Sequence, residues 1–180
     1  MSEFGEVLTN QSLSRQLIYP VVNFRKGVTA PSDATQGTTP TVPTLRFTAV
    51  AELASIGITM PSDWDETKDL DLIFDGALVV GQTNLDTWDW TIDYIFSEDP
   101  ANNNSLLKTS TQVTGQATVT TANGLAAGDV YRIIVPVSAV DANNPFANAT
   151  SMAFECHLTN VTGVGDIDVI SLCMRYIAKY

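Results

Sequence analysis

Trp88-Asp89-Trp90-Thr91-Ile92-Asp93-Tyr94-Ile95-Phe96 decides the fold class. In an extended chain Trp88, Trp90, Ile92, Tyr94 and Phe96 point one way, while Asp89, Thr91 and Asp93 point the other. That alternation is the signature of a strand with one buried and one wet face. It puts Trp88 and Trp90 in a core rather than on a platform for stacking sugar rings.

Outward from this stretch, everything after Pro43 follows one rule: short apolar runs separated by turn chemistry. Candidate strands are Leu45–Val50, Leu53–Met60, Leu70–Val79, Trp88–Ser97, Gln112–Thr121, Val130–Val137, Ser151–Thr159 and Asp168–Ala178. The breaks PSDWDETKD, GQTNLD, EDPANNNS, ANGLAAGD, DANNPFANA and GVGD are rich in Asp, Asn, Gly and Pro, the residues that turns demand. The segment from Gln112 is polar on one face (Gln112, Thr114, Gln116, Thr118, Thr120), as a strand of an antiparallel sheet with a wet side should be. Asp168–Ala178 is apolar on both faces, so its outer side is a candidate subunit contact; Val169, Ile170 and the lack of caps argue against a helix there. The expected fold class is all-β: an antiparallel β-sandwich, jelly-roll-like, of about eight strands over residues 44–180.

Residues 1–43 read differently, as an extended N-terminal arm and linker. A polar start leads to an apolar cluster (Leu17, Ile18, Tyr19, Val21, Val22, Phe24) flanked by Arg15, Arg25 and Lys26, and then to TAPSDATQGTTPTVP. Thr, Pro and Gly in that last stretch disfavour helix. Two placements are open: the arm folds back on its own sandwich, or it docks on a neighbour by strand addition or hydrophobic contact.

Composition narrows the function. The chain has 180 residues, 44% of them hydrophobic, enough for a real core. Its 9 basic and 20 acidic residues give a net charge of −11, a field that repels phosphate backbones and makes nucleic acid an unfavourable partner. No apolar run reaches the roughly 18–20 residues of a membrane span, and the N-terminus lacks the basic start and apolar stretch of a signal peptide. Cys156 and Cys173 read as two buried thiols, with a bridge between neighbouring strands as the alternative.

Catalytic chemistry finds little foothold. His157 is the single histidine, and its neighbour Cys156 points to the opposite face of any strand that holds both, so they make no dyad. Two cysteines and one histidine are too scattered for zinc. Asp63, Asp65 and Glu66 form a small acidic knot without the glycine of an EF-hand, which reads as a turn whose Asp side chains bond nearby amides. No phosphate-binding glycine loop and no nucleophile elbow occurs. The sequence therefore offers no catalytic, metal or cofactor-binding residue. A glycan-degrading enzyme is the weakest of the readings it allows.

One series of elements resembles a known family. Ile58-Thr59-Met60-Pro61-Ser62-Asp63-Trp64-Asp65, followed by Asp69-Leu70-Asp71-Leu72, is similar to a recurring sandwich domain of tailed-phage structural proteins. Trp88–Phe96 resembles its aromatic-rich strand, Gly128-Asp129-Val130-Tyr131-Arg132-Ile133-Ile134-Val135 a later strand, and Asp168–Tyr176 its closing strand. Ser151–Leu158 departs from the pattern, being an apolar strand where a polar loop is usual. The resemblance spans about residues 44–180. It implies a non-enzymatic virion component assembled in the host cytoplasm, most simply a capsid decoration (cement) protein. Its partners would be the major capsid protein or another virion protein and its own copies, with a homotrimer as first guess. On that reading Arg15, Leu17, Ile18, Tyr19, Val21, Val22, Phe24, Arg25 and Lys26 are the partner-binding residues. The alternative is a receptor- or glycan-binding module of a phage fibre or tail, with Trp64 and the 102–105 loop as contact candidates.

Overall fold

The computed structural model describes residues 13–38, 40–50, 52–83, 86–98, 111–118, 124–141, 146, 149–162 and 166–179. Among these residues eleven strands run in chain order: β1 (Leu13–Pro20), β2 (Arg25–Lys26), β3 (Ser32–Gln36), β4 (Val42–Phe47), β5 (Ala54–Thr59), β6 (Leu70–Leu78), β7 (Thr87–Glu98), β8 (Thr111–Thr118), β9 (Val130–Val137), β10 (Ala149–Thr162) and β11 (Ile167–Ala178). Each of the eight expected strands has its counterpart among β4 to β11, with ends moved by a few residues. Among the described residues no helix is long and apolar enough to cross a membrane.

The strands form two antiparallel sheets, a jelly-roll-like sandwich. Sheet A has the order β3-β4-β11-β6-β9, with β1 also on β11, and sheet B the order β2-β5-β10-β7-β8. β11 is shared along one edge: its start pairs with β4 (Val169↔Leu45) and the rest with β1 (Ile18↔Cys173). Its inward face is apolar (Leu172, Met174, Tyr176), but its outer face carries Ser171 and Arg175 on either side of Cys173, so the expectation of two apolar faces holds for the inner one alone. Ser151–Leu158, the departure from the phage pattern, lies within β10, paired on both sides by β5 and β7.

Alternation does the core-building. Trp90, Ile92, Tyr94 and Phe96 of β7 are all buried, as are Leu70, Leu72 and Phe74 of β6 and Leu172, Met174 and Tyr176 of β11. Trp90 ties the layers together. Its ring packs edge-on against Phe47 (4.8 Å between centroids) and tilted against Phe74 (5.3 Å), both from sheet A. Burying several aromatics of this size, each stabilising by about 2–3 kcal/mol, holds the sheets in register. Where the β8 and β9 edges approach, Gly115 is required: a Cβ there would sit 2.7 Å from the Ile134 carbonyl oxygen.

The described part of the arm takes the first of its two placements. β1 lies along β11, β2 along β5 and β3 along β4, so residues 13–36 feed both sheets. Val21, in the 3-10 turn Val21–Asn23 between β1 and β2, is buried, and Phe24 packs edge-on against Phe154 (6.3 Å). Apolar spacing flagged the cluster but not its pairing. The β3 segment was read as linker because its Ser, Asp, Thr and Gln carry little strand signal of their own.

Candidate ligand-binding face

Strand register carries a row of polar side chains across the outer face of sheet B. Arg25 pairs with Ser55, Ser55 with Glu155, Glu155 with Asp93, and Asp93 with Gln112, one residue from each of the five strands. Directly opposite residues in antiparallel strands share a face, so the five side chains form one line. Beside it lies an open trough of about 880 Å³, lined by Asn23, Arg25, Ser55, Gly57, Asp93, Ile95, Ala153 and Glu155 among others.

Small side chains make the trough. Ser55, Gly57 and Ala153 form its floor, and a Cβ placed on Gly57 would meet nothing within 4 Å. Asn23 and Arg25, carried by the turn and short strand that follow β1, build one wall. Asp93 and Ile95 build the other, about 14 Å away across three strand spacings. Gln112 donates to Asp93 Oδ1 at 3.1 Å, which orients that carboxylate. Arg25 and Glu155 have no hydrogen-bond or ion-pair partner among the described residues. The Arg25 guanidinium, without a partner among the described residues, thus faces two carboxylates across a floor of small residues. The next row is His157, Thr91 and Thr114, with the two threonine hydroxyls 3.1 Å apart and His157 Nδ1 buried without a described partner.

The residues expected to bind a partner scatter. Arg15 ion-pairs with Asp63, whose Oδ1 also accepts the Tyr176 hydroxyl at 3.1 Å. Lys26 pairs with Asp33 at 2.7 Å. Tyr19, Val21 and Phe24 pack on or in the core, whereas Leu17, Ile18, Val22 and Arg25 are exposed. Only Arg25 reaches the trough. The loop 102–105 lies outside the described residues. Trp64 is 4% exposed, stacked on Phe96 (6.1 Å) and tilted against Phe146 (4.8 Å); it plugs the end of the sandwich and presents no free ring face to a sugar.

Two of the residues weighed for chemistry, Asp65 and Cys156, have structural partners. Asp65 accepts from the Thr67 amide (3.0 Å) and hydroxyl (2.7 Å), the expected turn, and these bonds hold its carboxyl below the usual range. Cys156 and Cys173 are free thiols in different sheets. Cys156 faces inward and bonds the Ala54 carbonyl at 3.2 Å, and burial pushes its thiol far above the ordinary range, which leaves no thiolate for nucleophilic attack. The trough residues Asn23, Ser55, Gly57 and Glu155 went unnoticed in the sequence. Asp93 and Gln112 were assigned to wet faces, but which wet faces adjoin is set by strand order, which alternation does not encode.

No family model matches the chain, and no curated protein matches it in sequence. Solved structures do. The xylan-binding module CBM15 superposes with a TM-score of 0.53 at 11% identity, over 94% of this chain and all of that one. The likeness is one of fold. A carbohydrate-binding module (CBM6cm-2) from Cellvibrio mixtus lichenase 5A gives 0.45 at 10% identity, over 88% of this chain and 95% of that one. A non-crystalline cellulose-specific module, CBM28, gives 0.45 at 10% identity, over 87% of each chain. The β-sandwich fold that was expected is supported; nothing in these comparisons ties the chain to tailed-phage structural proteins or to a virion role.

Proposed function

We propose that the chain is a non-catalytic carbohydrate-binding module that takes a neutral glycan in the trough on sheet B. The observation that carries this reading is the trough itself: an open channel with a small-residue floor and donors and acceptors on facing walls. Arg25 and Asn23 can donate to sugar oxygens, Asp93 and Glu155 can accept from vicinal hydroxyls, and Ser55 can do either. The net charge of −11 disfavours uronate- or sulfate-bearing polymers. The fold shared with a xylan-binding module supports the class without naming the sugar. Asp93 and Glu155 sit half-exposed on an open sheet face, without the apolar enclosure that turns a carboxyl into a general acid, which favours binding over hydrolysis.

The capsid-decoration reading drew on an arm free to dock elsewhere. With Val21 and Phe24 packed on the chain's own core, that motivation falls away, and the glycan-binding alternative leads. The test is affinity electrophoresis in gels containing xylan, mannan or mixed-linkage glucan. The wild-type chain should be retarded by at least one of them. Gly57→Trp, which fills the trough from a site with room to spare, should run unretarded with an unchanged melting temperature. Unretarded wild-type protein across neutral polysaccharides defeats the reading.

A further inference from the structure

The outer face of sheet A is built unlike that of sheet B. Register aligns Ile18 of β1 with Cys173 of β11, Cys173 with Ile73 of β6, and Ile73 with Ile134 of β9. All four are apolar, in a continuous line across four strands. Cys173 and Ile73 in the middle are buried, while Ile18 and Ile134 at the ends are 68% and 43% exposed. Polar rows border the line on both sides: Arg175 bonded to Asp71 (Nε–Oδ2 3.0 Å) on one, Arg132 to Asp75 (Nε–Oδ1 2.6 Å) on the other. An apolar centre rimmed by ordered charges is how interfaces are organised.

We propose that this face is a homodimer interface, a second copy of the chain stacking on it sheet to sheet. Charge complementarity selects the occupant. Let a two-fold axis run along the strands, above the line between β11 and β6. β11 then lies over the second copy's β6, and β1 over its β9. Ile18 meets Ile134 of the second copy, Arg175 faces its Asp71, and Ser171 faces its Asp75, around a centre (Cys173 and Ile73) that each copy already shields from solvent. Every charge in that rim except Arg132 finds an opposite charge or a hydroxyl, and the contact closes on itself as an isologous dimer must. The other two-fold, along the apolar row, sets Asp71 against Asp75 and is rejected by repulsion. Packed sheets keep their strands within about 30° of alignment, so the rows stay opposed over this short span.

The interface is on the opposite side of the sandwich from the trough, so its test is independent of glycan binding. Light scattering on the full chain at high micromolar concentration should give twice the 19.4 kDa chain mass. Ile18→Lys and Ile134→Glu, at exposed positions, should each raise the dimer dissociation constant about tenfold or more while keeping the β-sheet circular dichroism spectrum. Arg175→Asp should weaken the dimer, and Arg175→Asp with Asp71→Arg should restore it, which keeps the question decidable if an isoleucine variant misfolds. A single-chain mass for the wild type overturns the proposal. So does a dimer or larger assembly that all these variants leave intact.

Discussion

The two outer faces of the sandwich come from the same alternating strands and end as opposites. On sheet A the central cross-strand row is Ile18, Cys173, Ile73 and Ile134; on sheet B it is Arg25, Ser55, Glu155, Asp93 and Gln112. Inward-facing residues had one task, filling the space between sheets, and nearly any large apolar side chain meets it. Outward-facing residues carry no such demand, so their chemistry records what each face is for. On the dimer proposed above, the apolar row between bordering ion pairs is a surface to be covered. A polar row beside a trough of small residues describes one built to stay open.

The sharpest break in this contrast is a buried carboxylate on the sheet A side, the one such group among the described residues. Asp168 has no exposed surface and holds three strands together, accepting from Arg46 Nε (2.8 Å), Gln36 Nε2 (2.7 Å) and Thr44 Oγ1 (3.0 Å). Burial pushes its carboxyl upward, but the bonds from Arg46, Gln36 and Thr44 and the Arg46 charge outweigh that and hold it below the usual range. Arg46→Met leaves the carboxylate buried without its cation and should cost about 3 kcal/mol in urea denaturation. The sign of the pH effect follows. A lowered folded value means that the stabilisation is complete above the unfolded carboxyl range and is lost as pH falls through the folded one. Wild type should thus shed stability in acid below about pH 4, and Arg46→Met should shed less. An unchanged acid limb in the variant would show that Asp168 is not the responsible group.

A smaller effect is expected in the middle of the apolar row. Ile73 is 3% exposed although it points away from the core. If that burial is packing comparable to the interior, Ile73→Ala should lower stability by about 2 kcal/mol, measured well below the concentration at which chains associate. A loss no larger than that of an exposed substitution would mean that the row is covered only by mobile side-chain ends, and the contrast between the faces would weaken.

Sequence reading went far with one half of this molecule. Alternation at Trp90–Phe96 and Leu70–Phe74 located strands and core because the period of two is local and burial is unforgiving. What it lacked was adjacency. Glu155 and Asp93 are far apart in sequence and opposite in the sheet; Ile18 and Ile134 complete a row that no segment contains. The arm shows the same limit, since Ser32–Gln36 becomes a strand only because β4 offers it an edge. Trp64 was legible as a contact candidate, and of the two rings that bury it, Phe96 and Phe146, the second lies in a run read only as turn.

The gentlest test falls on the polar row. Glu155 stands directly opposite Asp93, and like charges in that position repel at a cost that folding must absorb. Gln112 offsets part of it by donating to Asp93, but Glu155 has no described partner of its own. Glu155→Ala should therefore leave stability unchanged or raise it by about 0.5 kcal/mol or less, the reverse in sign of the change expected at Ile73. Thermal melts in low and high salt separate the causes: a gain from relieved repulsion shrinks as salt screens the pair, whereas a gain from packing does not. A destabilised Glu155→Ala variant would mean that the carboxylate holds the sheet together. The row on sheet B would then belong to the scaffold, and the two outer faces would differ in polarity but not in purpose.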